Sequence, residues 1–381
     1  MEVFAPLSPE MLADPYAVYK QLRKEDPVHW HEQLNAWIVT RYEDCVRILT
    51  DPETFVNDFR KIGEKPEKDI LGLQTLDRPE HTRVRHTLLD AMRLVDIASW
   101  VIDCCQVADK LLSQVDLASF DFVTEFNQPL ALASMCLFFG IPDVGDENEF
   151  YRRGRNLLLS MDFGFDHSRI QPGVEARRYM TGLIEPWVSP TPPTGLLSKI
   201  DILAAGEPNR SYLLNALRQM FVAGFMSSSS TLSCITRTLL EHRLLDQDEP
   251  FEVTPLVYNE LGRHSGAVQV DTRGATEDVV LSGTRIRKGT EVLLSPASAD
   301  RDDSIFGSPD DLVLDRSPNP HIAFGRGVHA CIGARLALSL HVALLTKISA
   351  SYRLTMAEQP VQRPTGTLRG LDRMVLTAQP R

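Results

Sequence analysis

Residues 321–338 read HIAFGRGVHACIGARLAL, one cysteine set between a glycine-rich loop and the start of an apolar helix. Backbone N–H groups at a helix N-terminus favour an anion, so Cys331 is expected to ionise easily. Gly325, Gly327 and Gly333 permit tight turns and a close approach of backbone to a flat ligand. Phe324 offers a ring to pack beside the sulfur. Together these are the requirements of a thiolate ligand to heme iron. The plain alternative is a core cysteine beside a loop.

Two upstream segments separate these readings. NELGR (259–263) carries Glu260 and Arg263 at i, i+3, on one side of a helix. Alone it is an ordinary surface ion pair, but it stands about 70 residues before the cysteine. DDLVLDRSPNPH (310–321) then supplies Arg316. The cysteine segment resembles the heme-binding signature of the cytochrome P450 family, F-G-x-G-x-H-x-C-x-G-x-x-L-A. It matches at Phe324, Gly325, Gly327, His329, Cys331, Gly333, Leu336 and Ala337. Glu260 and Arg263 match the family's E-x-x-R pair. Arg316 matches the arginine that completes that triad, whose role in the family is to lock the heme-side loop. The resemblance runs from DPYAVYKQLRKEDPVHW (14–30) to the last strands and looks like the soluble bacterial branch. It implies a single cytochrome P450 domain over 1–381, mainly α with a small β region. The β-containing parts are placed at about 28–56 and 265–300, and the heme-thiolate loop at 321–335. The implied cofactor is heme b, iron protoporphyrin IX, with Cys331 as the iron ligand.

Heme propionates need cations. RPEHTRVR (78–85) resembles the family's C helix, with His81 and Arg85 at i, i+4 on one face. DTRGATED (271–278) places Arg273 ten residues after Arg263, where the family has its propionate-binding strand arginine. His329 is a further donor. The guanidinium fork suits a carboxylate because it binds both oxygens. Arg83 and Arg335 read as solvated helix charges and stay unassigned.

The segment VAGFMSSSST (222–231) departs from the family. The central helix of its members usually reads A-G-x-[acid]-T, the acid and alcohol relaying protons during oxygen activation. Ala223 and Gly224 match, but Met226 stands at the acid position, and a thioether donates no proton. Ser227 stands at the threonine position and keeps a hydroxyl, without the methyl that stiffens threonine's χ1. Three readings stay open. The enzyme uses oxygen, with protons from Ser227, its neighbours, water or substrate. Or it takes a substrate or oxidant that already holds a weak O–O or N–O bond, as a peroxygenase, isomerase or transferase of that type would. Or the protein binds heme or a ligand without catalysis. Ser228 to Ser230 are expected either to bond back to helix carbonyls or to face the pocket or a water.

Most of the remaining chain reads as helix. Segments 15–27, 81–115, 211–245 and 333–352 carry helical periodicity, and 211–245 is apolar on all sides, so it should cross the core. AWIVTRY (36–42) alternates like a strand, and YEDCVRILTDP (42–52) reads as a short helix after it. TEDVVLSGTRIRKGTEVLLS (276–295) reads as a pair of short strands around Gly turns. The Pro-rich EPWVSPTPPTG (185–195) reads as an exposed loop. The pocket would be built from about 56–76, 157–180, 219–231 and 264–272. Within these, Met161, Phe163 and Phe165 are candidate apolar walls. The lysines of NDFRKIGEKPEKD (57–69) either greet an anionic substrate or are solvated.

Composition narrows the partners. A net charge of −11 argues against nucleic acid and against an anionic membrane surface. The N-terminus shows no signal peptide or membrane anchor, so a cytoplasmic, monomeric protein is expected. The six cysteines include no C-x-x-C pair, which argues against zinc; Cys104 and Cys105 read as helix core. Small members of the family often tailor natural products, so the resemblance implies a small organic substrate. If oxygen is used, electrons arrive from ferredoxin and ferredoxin reductase.

Overall fold

A computed structural model describes residues 3–188, 192, 194–202, 206 and 208–381. The chain opens with helices α1 (Pro9–Ala13) and α2 (Tyr16–Glu25), then strands β1 (Val28–His31) and β2 (Ala36–Val39), helix α3 (Tyr42–Thr50) and strand β3 (Phe55–Val56). A helical stretch follows: α4 (Glu80–Arg93), α5 (Ile97–Leu112), the short strand β4 (Phe120–Asp121), α6 (Gln128–Phe139), α7 (Glu147–Ser160), α8 (Ile170–Val188), α9 (Asn209–Glu241) and α10 (Pro255–Ser265). Then come β5 (Asp271–Ala275), β6 (Val279–Leu281), β7 (Thr284–Ile286), β8 (Glu291–Leu294) and α11 (Pro296–Ala299). The chain closes with α12 (Ala334–Ser351) and strands β9 (Tyr352–Met356), β10 (Val361–Gln362), β11 (Leu371–Arg373) and β12 (Val375–Pro380).

The two β regions expected from the sequence meet in one sheet of order β1-β2-β8-β5-β3. β2 and β8 pair in parallel, and Arg273 of β5 lies opposite Val292 of β8. The pair expected over 276–295 is three strands. β6 and β7 form a hairpin whose turn residues, Ser282 and Gly283, both have positive φ, and β8 leaves for the larger sheet. A second sheet, β4-β12-β9, and the β10–β11 hairpin lie outside the expected β parts.

The single helical span expected over 81–115 is two helices. Asp96 accepts from the Ser99 amide at 3.0 Å and starts α5 afresh, while apolar Leu94 is left 67% exposed at the break. Apolar periodicity ran through the break because α4 and α5 both feed the same core.

Helix α9 is about 50 Å long at 1.5 Å per residue. Phe221 packs against Phe139, Phe150 and Trp187, which seats the helix in the main core. Met220, Ala223, Gly224, Ser227, Ser228 and Thr231 are only partly buried, at spacings of three and four. These residues line the less tightly covered side of an otherwise buried helix.

Cys104 is buried and Cys105 is half-buried against the same core. The sequence reading of 185–195 as a loop holds only in part. Residues through Val188 belong to α8, with Pro186 inside it, and 189–191 and 193 lie outside the described residues. Among the described residues, no helix is long and apolar enough to cross a membrane.

Candidate active site

The cysteine loop closes on itself. Gly325 N–H donates to the Ile322 carbonyl and Cys331 N–H to the Phe324 carbonyl, both at 2.8 Å. This places Cys331 two residues before the N-cap of α12, Gly333. Its side chain is exposed, beside partly accessible Phe324, Ile332 and Leu336. Gly327 has φ 74°, and a Cβ there would run into the Leu49 carbonyl. Gly325 has φ 67° but nothing within 3.7 Å of such a Cβ. Gly327→Ala should therefore lose at least about 1–2 kcal/mol from left-handed backbone alone, and displace Leu49 as well. Gly325→Ala should lose only the backbone part. Urea midpoints of the two variants check the order.

The expected easy ionisation of Cys331 is corrected by its surroundings. Although the side chain is open to solvent, the protein packed round the sulfur desolvates it enough to push the thiol pKa up, and the Gly333 N–H, Arg85 and the Ala334 N–H offset this only in part. A few aligned amides do not outweigh desolvation of an anion. A metal bound to the sulfur would displace that proton.

The loop hangs from α10. Arg263 donates to both carboxylate oxygens of Glu260, at 2.8 and 2.7 Å, and the pair is fully buried. Arg316 Nε joins Glu260 at 2.9 Å, and Asn319 Nδ2 at 3.2 Å. The spare guanidinium N–H groups grip backbone. Arg263 reaches the carbonyls of Asp300, Pro309 and Asp311, and Arg316 those of Gly307 and Ser308. Burial works against the Glu260 charge, but Arg263, the Val313 N–H and Arg316 outweigh it and hold its pKa below the usual range. Asp300 in turn accepts from Ile322 N–H at 2.7 Å, at the start of the cysteine loop.

Elsewhere around the cysteine loop, the His81 and His329 rings meet at a tilt of 44°, with 4.1 Å between centroids. His329 Nε2 lies 3.0 Å from Asp77 Oδ1. Nε2 of His81 is buried without a hydrogen-bond partner among the described residues. Burial, with the charges of His329 and Arg85 nearby, pushes its pKa down to about 3. Arg85 Nη2 donates to the Ala330 carbonyl at 2.8 Å, which ties α4 to the cysteine loop. Arg273 is 3% exposed; its Nη1 donates to Asp271 and to the Thr272 carbonyl. Asp77 and its contact with His329 were not expected from sequence.

In α9, Gly224 is explained by packing. A Cβ there would sit 2.6 Å from the Met135 methyl of α6. Met226 is 6% exposed and offers no proton. Ser227 is partly accessible and makes no hydrogen bond among the described residues. The serines after it do not bond back to their own helix. Ser228 Oγ meets His341 Nε2 at 2.7 Å, and Ser230 Oγ accepts from Arg363 Nη2 at 2.7 Å.

The roof differs from expectation. Asn215, Arg218 and Gln219 of α9, none singled out from sequence, hold the 68–74 loop. Asn215 Nδ2 donates to the Lys68 and Leu71 carbonyls, Arg218 to the Asp69 carbonyl, and Gln219 Nε2 to the Ile70 carbonyl at 2.8 Å. Their i, i+3, i+4 spacing was the available signal. The basic residues of 57–69 are partly spent internally: Lys61 lies 3.6 Å from Asp77, and Arg60 grips Asp58. Met161 and Phe163 are 44% and 55% exposed. Phe165 packs on Phe4 and His31, away from α9.

One exposed cysteine beside half-accessible apolar side chains, an orphaned imidazole nitrogen and two buried-edge arginines fit an iron porphyrin with two carboxylates. Comparison with known proteins agrees. The family profile described as Cytochrome P450 matches residues 250–380. Cytochrome P450 105A3 of Streptomyces carbophilus is 30% identical, over 98% of this chain and 96% of its own. Nocardicin C N-oxygenase of Nocardia uniformis subsp. tsuyamanensis is 31% identical over 94% of each. The solved structure of the bacillaene polyketide synthase cytochrome P450 PksS of Bacillus subtilis 168 superposes with a TM-score of 0.85 at 26% identity, covering 98% of this chain and 99% of the other.

Proposed function

The chain belongs to the cytochrome P450 family, whose cofactor is heme b, and on that premise we propose that it is a single-domain oxidoreductase, residues 1–381, acting on a small organic molecule by non-standard oxygen chemistry. The observation that carries this reading is Met226, buried where a proton donor is expected, beside an unbonded Ser227. Bound heme supplies the redox chemistry at the pocket floor. Cys331 is the iron ligand, with Phe324 and the loop glycines shaping its side. His81, Arg85, Arg273 and His329 would hold the propionates, a role supported by the buried His81 Nε2 that has no partner among the described residues. Ala223 leaves room over the pocket. Ser227 holds a water or a substrate hydroxyl and passes its proton into the site. Relatives named for polyketide and nocardicin biosynthesis support a natural-product tailoring role. A ferredoxin supplies electrons, and the protein works in the cytoplasm as a monomer.

A second reading draws on the same methionine. With no acid at 226, the site suits an oxidant or substrate that brings its own weak O–O or N–O bond, and then needs no electron partner.

Two parallel reactions separate the readings, each with heme-loaded enzyme and small-molecule extract of the source organism. One contains oxygen, ferredoxin and reductase; the other is anaerobic without electrons. Product in the first alone, carrying labelled oxygen, supports monooxygenation. Product in the second supports the other reading. Met226→Glu sharpens the choice. For a monooxygenase it should raise the share of electrons that end in product several-fold, since burial raises a carboxyl pKa and makes it a proton donor. Unchanged coupling would count against a proton-limited site.

A further inference from the structure

Three consecutive residues of α9 beyond Ser227 are each held from a different element. Ser228 Oγ meets His341 Nε2 of α12 at 2.7 Å. The Ser229 carbonyl accepts from Asn127 Nδ2 at 2.7 Å, at the end of a π-helical turn, Phe122–Asn127, that leads into α6. Ser230 Oγ accepts from Arg363 Nη2 at 2.7 Å, in the β10–β11 hairpin. His341 is 1% exposed and Arg363 is 5% exposed. Buried groups this polar are costly to desolvate, so their bonds decide where they sit.

The first of these bonds has a direction. His341 Nδ1 lies 2.9 Å from Tyr258 Oη, and Tyr258 is 1% exposed. Burial pushes the Tyr258 phenol pKa up, so it keeps its proton. His341 Nδ1 is its one acceptor among the described residues, so Tyr258 donates to it. Burial pushes the His341 pKa down to about 4, so the ring is neutral. Its single proton is then on Nε2 and is donated to Ser228 Oγ. The Ser228 hydroxyl proton remains to be given. Asn127 Oδ1, buried without a partner among the described residues, belongs to the same tightly packed cluster as Ser228 and His341.

We propose that His341 is a positioning residue for the reaction: with its tautomer set by Tyr258, it donates to Ser228 and, together with the Asn127 and Arg363 bonds, locks the turn of α9 that aims the Ser227 hydroxyl into the pocket. The proposal rests on the reading of Ser227 as the pocket hydroxyl. A serine there lacks threonine's χ1 restraint, and the lock supplies from the backbone the stiffness the side chain lacks. It also accounts for two serines of the run: the hydroxyls of 228 and 230 are anchor points, residue 229 is held through its backbone carbonyl, and the 227 hydroxyl has no protein partner among the described residues.

The test uses the heme-loaded full chain, hydrogen peroxide as oxidant and guaiacol as the reporter. His341→Ala should keep the red-shifted ferrous–CO band and the KM for peroxide, and lower kcat about 10- to 100-fold, the scale of a misplaced reacting group. His341→Gln should restore most of kcat, because its amide can accept from Tyr258 and donate to Ser228. Amide hydrogen exchange over 222–234 should quicken in His341→Ala and recover in His341→Gln. Full kcat in His341→Ala would overturn the proposal. So would failure of His341→Gln to rescue, or loss of the band in both, either of which makes His341 a packing residue. If Ser227→Ala leaves kcat intact while His341→Ala lowers it, the Ser227 reading fails instead, and the proposal with it.

Discussion

Cys331→Ala should abolish the red-shifted ferrous–CO band and all turnover, and leave the chain folded. The first half follows from chemistry: a thiolate is the ligand that gives that spectrum, and alanine offers the iron nothing. The second half follows from geometry. The Cys331 side chain is exposed in the protein, and the bonds that shape the loop are made by its backbone and by Phe324. Removing one exposed sulfur should change apoprotein stability by no more than about 0.5 kcal/mol. Urea denaturation of the heme-free variant, set beside its CO spectrum after heme loading, reads both. A surviving red-shifted band would remove Cys331 from the ligand position. A collapsed fold would mean that the sulfur packs more than its exposure indicates.

Glu260→Ala should have the largest effect on stability. The carboxylate is fully buried and accepts from Arg263, Arg316, Asn319 and the Val313 amide. Its removal leaves two buried guanidinium ions without their counter-charge. Breaking a buried pair in this way costs about 3–5 kcal/mol, a large part of the roughly 5–15 kcal/mol that holds a domain together. The damage should be local first. Arg263 and Arg316 place the 300–316 segment, and Asp300 places the start of the cysteine loop. Heme retention should therefore fall before helix content does, which absorbance and circular dichroism on one heating run can separate. Glu260→Gln keeps the shape and one acceptor oxygen, so it should lose less. Equal melting of wild type and Glu260→Ala would sink the argument.

Both predictions fall on residues that were legible in the sequence, and the reason is common to them. Cys331, Glu260, Arg263 and the loop glycines act within short segments, where residue type and spacing determine the geometry. Helix α9 was legible for the same reason, since apolar residues on every side leave it nowhere but the core. The central departure, Met226 and Ser227 in place of an acid and a threonine, also needed no coordinates.

What surrounds those residues depended on distance through space. Asp77 meets His329 across 252 positions, and Ser228 meets His341 across 113. No local pattern pairs such residues, because chain separation carries no information about which buried polar groups share a partner. The thiol of Cys331 shows the same limit. Helix polarity can be read from the sequence, but the desolvation that opposes it depends on what packs there. Phe165 reads as apolar in the sequence, yet only packing shows that its ring lies on Phe4 and His31. The sequence by itself, through the family its motifs resemble, determined the fold class. The tertiary structure decided which side chains hold the loop, roof the pocket and anchor the serine run, because those are pairings of buried groups that only packing brings together.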